Sequence, residues 1–415
     1  MERLLINGGK VLSGSVKPEG AKNAVLPIMA AALMVDGEVI LKNIPKLTDV
    51  AAMAELLRHL GVKVKREDDT MILNVAAAAY RGLPEELMKK MRASNLIWGP
   101  LLDRFSLCDL PMPGGCRIGS RPMDIHIKGM KRLGVEVEEH GGRILSRCPR
   151  CRGAEICLDF PSVGATENLV MAAVKAEGTT ELQNVAREPE VADLCRFLNA
   201  CGGNIWGIGT DRLIIQGVKK LHGTTYEILP DRIVGGTLLL AAMITGGTIT
   251  AEGLSPSLVD ALLAKVEECG ALVERRETGV TLRGPGAYRG ADIKTLPYPG
   301  FPTDLQPQYM TVMALARGAT LIRESIFENR FTQGPELRKM GADITAEGRC
   351  AVVRGVPALE GAAVDARDLR CGAALVLAGL AAEGQTEVSG VGYIERGYSD
   401  LAGILSLLGA DICLG

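Results

Sequence analysis

HLGVKVK, residues 59–65, decides the fold. Leu60 closes an amphipathic run, Gly61 supplies the left-handed conformation that ends a helix, and Val62-Lys63-Val64 alternates as a half-buried strand does. The phrase returns as RLGVEVE (132–138), ACGGNIW (200–206), ECGALVE (268–274), KMGADIT (339–345) and LLGADIC (407–413). Its glycines, Gly61, Gly134, Gly202, Gly270, Gly341 and Gly409, stand 73, 68, 68, 71 and 68 residues apart. Six copies fill the chain, so the repeating object is a supersecondary unit.

Before each helix lies a second shared phrase, an apolar run, a Gly turn and a β-rich strand. It reads MAAALMVDGEVILKNI from Met29, MAAVKAEGTTELQNV from Met171, LAAMITGGTITAEGL from Leu240, VMALARGATLIRESI from Val312 and LAGLAAEGQTEVSGV from Leu377. The copy from Leu96, LIWGPLLDRFSLCDLPM, departs from the pattern just before a Gly-Pro loop. The unit is therefore helix, turn, strand, loop, helix, Gly cap, strand, turn, strand. Three units per domain predict two similar domains of about 200 residues with a hinge near Leu229-Pro230-Asp231. Domain 1 takes 20–229; domain 2 takes 230–415, with 1–19 adding strands to it. A cleft between two such domains is the expected place for a closing active site.

Composition agrees with a layered α/β protein. Of 415 residues, 47% are apolar and only 4% aromatic, and 50 are Gly, so the interior is built from small aliphatic side chains and many turns. A formal net charge of −2 argues against nucleic-acid or anionic-membrane binding while allowing a local cationic pocket. The longest uncharged apolar runs fall short of a bilayer span, and Met1–Val16 has no signal-like apolar core, which predicts a cytoplasmic protein. The 11 cysteines lack disulfide-scaffold spacing and are expected to be reduced. Cys148-Pro-Arg-Cys151 has no second CxxC or paired His to complete a zinc site, so no metal is expected.

Chemistry concentrates in LPMPGGCRIGSRPMD, Leu110 to Asp124. Cys116 follows two glycines and has Arg117 and Arg121 beside it. Nearby guanidinium groups favour thiolate over thiol, and the same groups grip phosphate or carboxylate through forked hydrogen bonds.

Nine short words extend this reading over the whole chain in order. They are GAKNAVLP (20–27), MRAS (91–94), PGGCRIGSRPMD (113–124), PSVGATEN (161–168), AREPE (186–190), FPTDLQPQ (301–308), FENRF (327–331), DLR (368–370) and ERGY (395–398). Together they resemble the UDP-N-acetylglucosamine enolpyruvyl transferase family, within the EPSP synthase-like superfamily. The resemblance implies a two-domain inside-out α/β barrel of six βαβαββ repeats. It also implies a reaction: phosphoenolpyruvate gives its enolpyruvyl group to the 3′-hydroxyl of UDP-N-acetylglucosamine and phosphate leaves, the first committed step of peptidoglycan synthesis. No cofactor or metal is implied, the partners are the two small substrates, and the expected state is a monomer.

Residue by residue, the resemblance makes Cys116 the proton donor, able to carry a covalent adduct, and Asp304 the base. Lys22, Asn23, Arg121, Arg370 and Arg396 are implied to hold the donor's anionic groups, Lys22 and Arg396 within the catalytic set. Arg92, Pro122, Met123, Asp124, Ile125, Ser162, Val163, Gly164 and Ile326 are implied contacts to the nucleotide sugar. The bare sequence also admits Asp304 as a helix N-cap and Lys22 as a solvated charge. Asn329 and Arg330 read as structural ties. Phe160-Pro161 stands where many relatives have a basic residue, and Leu96 where some have Trp, so Trp98 is assigned to the core. Two competing readings are a silent nucleotide-sugar-binding paralogue and enolpyruvyl transfer to shikimate 3-phosphate. The second lacks the PGGC loop and the GAKNA word.

Overall fold

The computed structural model describes residues 2–111 and 123–415. All six repeat glycines adopt left-handed φ, at 83°, 87°, 93°, 107°, 89° and 102° in chain order, each ending a helix and admitting the chain to a strand. Five four-stranded sheets and one three-stranded sheet follow from this. In each four-stranded sheet an antiparallel trio takes a fourth, parallel strand on its edge. Val39–Lys42, for example, pairs with Thr224–Glu227 in parallel and Glu38–Leu41 with Met71–Asn74 antiparallel. The three-stranded sheet, Leu107–Pro111, Arg143–Arg147 and Glu136–His140, belongs to the repeat whose sequence departs from the pattern.

Among the described residues the chain divides into two compact units, one containing 2–19 and Pro230–Gly415, the other 20–111 and 123–229. Each holds three of the six sheets. The N-terminal strands serve the first unit: Arg3–Asn7 pairs with Gln385–Ser389 and with Asp411–Leu414, and Ser13–Val16 runs parallel to Thr248–Ala251.

Within each unit the helices lie inside and the sheets outside. Arg232–Thr245, Gln306–Met313 and Leu369–Ala381 are buried on nearly every face and pack on one another. A helix apolar all round belongs in a core, whereas the strands alternate buried and exposed, as in the Glu-Val-Ile-Leu stretch of 38–41. The barrel is one of separate sheets around helices, with no closed ring of strands among the described residues. The low aromatic content now has a reason: helices packed this closely need small residues. A Cβ at Gly236 would come within 2.7 Å of Leu305 Cδ1, so this glycine lets the turn that bears Asp304 seat on the helix. Trp98 is fully buried and donates from Nε1 to Ser146 Oγ at 3.1 Å, a core role. Among the described residues, no helix is long and apolar enough to cross a membrane.

One buried carboxylate ties down the end of the second unit. Asp193, on the helix Pro189–Ala200, accepts from Tyr226 Oη at 2.7 Å and from the Leu229 amide at 3.3 Å. Burial outweighs these bonds and pushes its pKa up to about 6. The folded state therefore binds the proton more tightly than the unfolded chain. The resulting stabilisation is fully present below the unfolded value of about 3.9 and is lost as pH rises through the folded value. The Tm of the parent relative to Asp193→Asn should fall across that window, by the equivalent of about 3 kcal/mol. Thermal melts of both proteins between the two limits check this.

Candidate functional site

In the second unit, Lys22 is the first residue of the helix Lys22–Ala31, and its side chain is only 10% exposed. Its ammonium meets Asp49 Oδ2 at 2.7 Å, from the first turn of the helix Thr48–His59. A buried ammonium is costly unless paired, and removing one partner of such a pair leaves about 3–5 kcal/mol uncompensated. The solvated reading of Lys22 is thereby excluded. Asn23, next to it, is exposed.

The helices Asp124–Arg132 and Val163–Ala173 supply the other predicted contacts of this unit. Met123 is buried, Asp124 exposed and Ile125 half-buried. Ser162 caps the second helix, accepting from the Ala165 amide at 3.4 Å, and the Phe160 carbonyl in turn accepts from the Ser162 amide at 2.7 Å. Ser162, Val163 and Gly164 thus open a helix, and the Ser162 hydroxyl is engaged in capping it, so any further anion there would meet the backbone amides. Arg92 begins the 3-10 turn Arg92–Ile97. Cys116, Arg121, Pro122 and the side chain of Arg92 lie outside the described residues.

The other unit carries Asp304, Ile326, Arg370 and Arg396. Asp304 sits within the 3-10 turn Thr303–Leu305 and its side chain is 28% exposed. Neither this turn nor the following helix Gln306–Met313 has a side-chain cap, so the capping alternative for Asp304 is not realised. Instead its two carboxylate oxygens receive two guanidinium groups: Arg330 Nη2 donates to Oδ1 at 2.8 Å and Arg370 Nη2 to Oδ2 at 2.9 Å. Arg370 enters at the start of the helix Leu369–Ala381, which Asp368 caps through the amides of Arg370 and Cys371. Its Nη1 donates to Tyr398 Oη at 3.3 Å, and Gln308 Nε2 donates to the same oxygen at 3.0 Å. Burial pulls the Arg370 pKa down, yet the charges of Asp304, Tyr398 and Asp231 more than reverse this and it stays above the ordinary range. Arg396 is half-buried on the segment after Val391–Ile394.

Glu324 escaped the sequence reading. It is 1% exposed, yet its carboxylate accepts from Thr295 Oγ1 at 2.8 Å, Thr303 Oγ1 at 3.0 Å and the amides of Ile326 and Phe327 at 2.8 and 3.1 Å. One residue therefore holds both the Asp304 turn and the loop that presents Ile326. The only signal available was an acidic residue closing a strand in RESIF, which resembles any surface charge. Asp49, 27 residues from Lys22, carried no signal of its own. Among the described residues, no group of three or more His, Cys, Asp or Glu side chains is placed to hold a metal. The Cys151 thiol is raised by burial and then by the neighbouring Cys148.

One unit supplies the buried, paired ammonium of Lys22 and the helix-opening amides at 162–164; the other supplies Arg370, Arg396 and a carboxylate between guanidiniums. Each group by itself suits the binding of an anion, and the carboxylate suits proton transfer. The family described as EPSP synthase (3-phosphoshikimate 1-carboxyvinyltransferase) matches residues 6–405. A UDP-N-acetylglucosamine 1-carboxyvinyltransferase of Carboxydothermus hydrogenoformans is 50% identical over 412 residues, covering 99% of this chain and 98% of that protein. One from Symbiobacterium thermophilum is 49% identical, covering 99% and 95%. Among solved structures, the enolpyruvyl transferase NikO from Streptomyces tendae superposes with a TM-score of 0.88 at 26% identity, covering 100% and 98%. The EPSP synthase of Acinetobacter baumannii shares the fold, with a TM-score of 0.77 at 18% identity over 100% of both chains.

Proposed function

This chain belongs to the EPSP synthase family of carboxyvinyltransferases, and we propose that it transfers the enolpyruvyl group of phosphoenolpyruvate to the 3′-hydroxyl of UDP-N-acetylglucosamine. Full-length identity of 50% to a relative of that activity carries the reading. The first committed step of peptidoglycan synthesis is then its place.

The chemistry is addition followed by elimination. The hydroxyl oxygen bonds to C2 of the donor while a proton goes to C3; the C2–O bond to phosphate then breaks as C3 returns a proton. The hydroxyl's own proton needs a base and the alkene carbon an acid. In this reading Asp304 takes the first, Cys116 gives the second, and Cys116 can also hold the donor covalently. Lys22 and Asn23 bind the donor, and Arg121, Arg370 and Arg396 neutralise its phosphate and carboxylate as charge grows on the departing oxygen. Arg92, Pro122, Met123, Asp124, Ile125, Ser162, Val163, Gly164 and Ile326 position the nucleotide sugar. Lys22 supports this assignment by burial, since its pairing with Asp49 fixes the ammonium at a helix start.

Phosphate release separates the readings. The purified protein should release phosphate from phosphoenolpyruvate with UDP-N-acetylglucosamine present and not with shikimate 3-phosphate. Release only with shikimate 3-phosphate would install the sister reaction, and release with neither acceptor would leave a silent binding protein. The protein is further expected to be a cytoplasmic monomer.

A further inference from the structure

Asp304 is held asymmetrically, and the asymmetry assigns a role to a residue otherwise read as a tie. Arg330 donates from Nη2 to Asp304 Oδ1 at 2.8 Å and from Nε to the Thr303 carbonyl at 3.4 Å. It therefore grips the carboxylate and the backbone of its turn with one rigid fork. Its guanidinium carbon stands 5.7 Å from the centre of the Phe327 ring, and the side chain is 3% exposed. Phe327 is fixed by its amide to Glu324, which also holds Thr303, so the anchor and the turn share one support.

Arg370 differs. Its Nη2 reaches Oδ2 at 2.9 Å, but its Nε, fully buried, has no hydrogen-bond partner among the described residues. A buried guanidinium with a donor to spare is suited to receive a further anion. A substrate anion drawn to Arg370 shares that guanidinium's charge with Oδ2.

We infer that Arg330 is a positioning residue for the base: it pins Oδ1 and the 303–305 turn so that Oδ2 keeps its aim when Arg370 turns to the substrate. This rests on the reading of Asp304 as base. The charged and titratable groups around the carboxylate, Arg330, Arg370, Tyr398, Asp231, Glu324 and Asp368, then divide into those that hold it and those that answer to the substrate.

Steady-state kinetics of Arg330→Lys and Arg330→Met, normalised to folded protein, test this. Lysine keeps the charge without the fork, so kcat should fall by about 10-fold with KM for both substrates within about twofold and the acid limb of kcat unmoved. Methionine removes the charge as well. Its kcat should fall by about 10²-fold and the acid limb move to higher pH by about one unit, because one cation favouring the ionised base is gone. In an Asp304→Asn background, Arg330→Lys should cost nothing further, since there is no base left to aim. Parental kcat in Arg330→Lys, or a loss of equal size in the Asp304→Asn background, overturns the inference while leaving the base reading intact. Near-parental activity of Asp304→Asn alone overturns the base reading instead. Should Arg330→Met not fold, Arg330→Lys and its double mutant decide the matter.

Discussion

Phosphate release by Asp304→Asn falls by about 10²–10⁴-fold with both substrates saturating, the range expected when a general base is lost. The substitution keeps the side chain's shape, and an amide oxygen can still accept from one of the two guanidiniums that hold the carboxylate. It cannot accept the hydroxyl proton. Because two arginines now face a neutral side chain, some stability is lost too, so the rate is compared at a temperature well below the melting transition of each protein. A rate within a few-fold of the parent would remove Asp304 from the mechanism.

Cys116 carries the second large effect. A proton donor to carbon is replaceable by another acid, while a nucleophile is not. Cys116→Asp should therefore keep turnover but escape alkylation by fosfomycin, an epoxide phosphonate that a thiolate opens. Cys116→Ser, whose hydroxyl is too weakly acidic, should lose turnover by about 10²-fold or more. Mass spectrometry of the treated parent should place the adduct on Cys116 alone. Burial pushes the thiols of Cys195 and Cys201 up to about 12 and that of Cys371 to about 11, which keeps them protonated and slow. Cys157, Cys350 and Cys413 are exposed and serve as internal controls for reactivity through access alone. An adduct on Cys148 or Cys151, or normal turnover by Cys116→Ser, would falsify the assignment.

The parts of this protein that the sequence announced are those governed by local rules. A glycine that must be left-handed, followed by alternating residues, reads the same wherever it falls, and each of Gly61, Gly134, Gly202, Gly270, Gly341 and Gly409 obeyed it. ACGGNIW yields a strand of only two residues, Ile205–Trp206, because Gly203 and Asn204 carry the chain past the cap before pairing begins. The site divides differently. Asp304 and Arg370 were legible through words that resemble a family, but their mutual contact was not: 66 residues separate them, and only the packing of the Gln306–Met313 and Leu369–Ala381 helices brings them together. Lys22 shows the same limit. Nothing near it in sequence says that it is buried, since the cost of burial is met by Asp49 from another helix. Glu324 stayed hidden because a carboxylate that satisfies four donors and one that faces water look alike in a string of letters.

Four of the proposed site residues share an address. Lys22 begins one buried helix, Ser162 caps another, Asp304 lies in the turn leading into a third and Arg370 enters at the start of a fourth. In these four cases the address is the amino end of the buried helix of a repeat, and the four repeats place different residues there. Copies of one structural unit can thus keep the same architecture while presenting different chemistry at the same place. Exchanging one repeat for another within the chain would preserve the folding instructions and erase the division of labour.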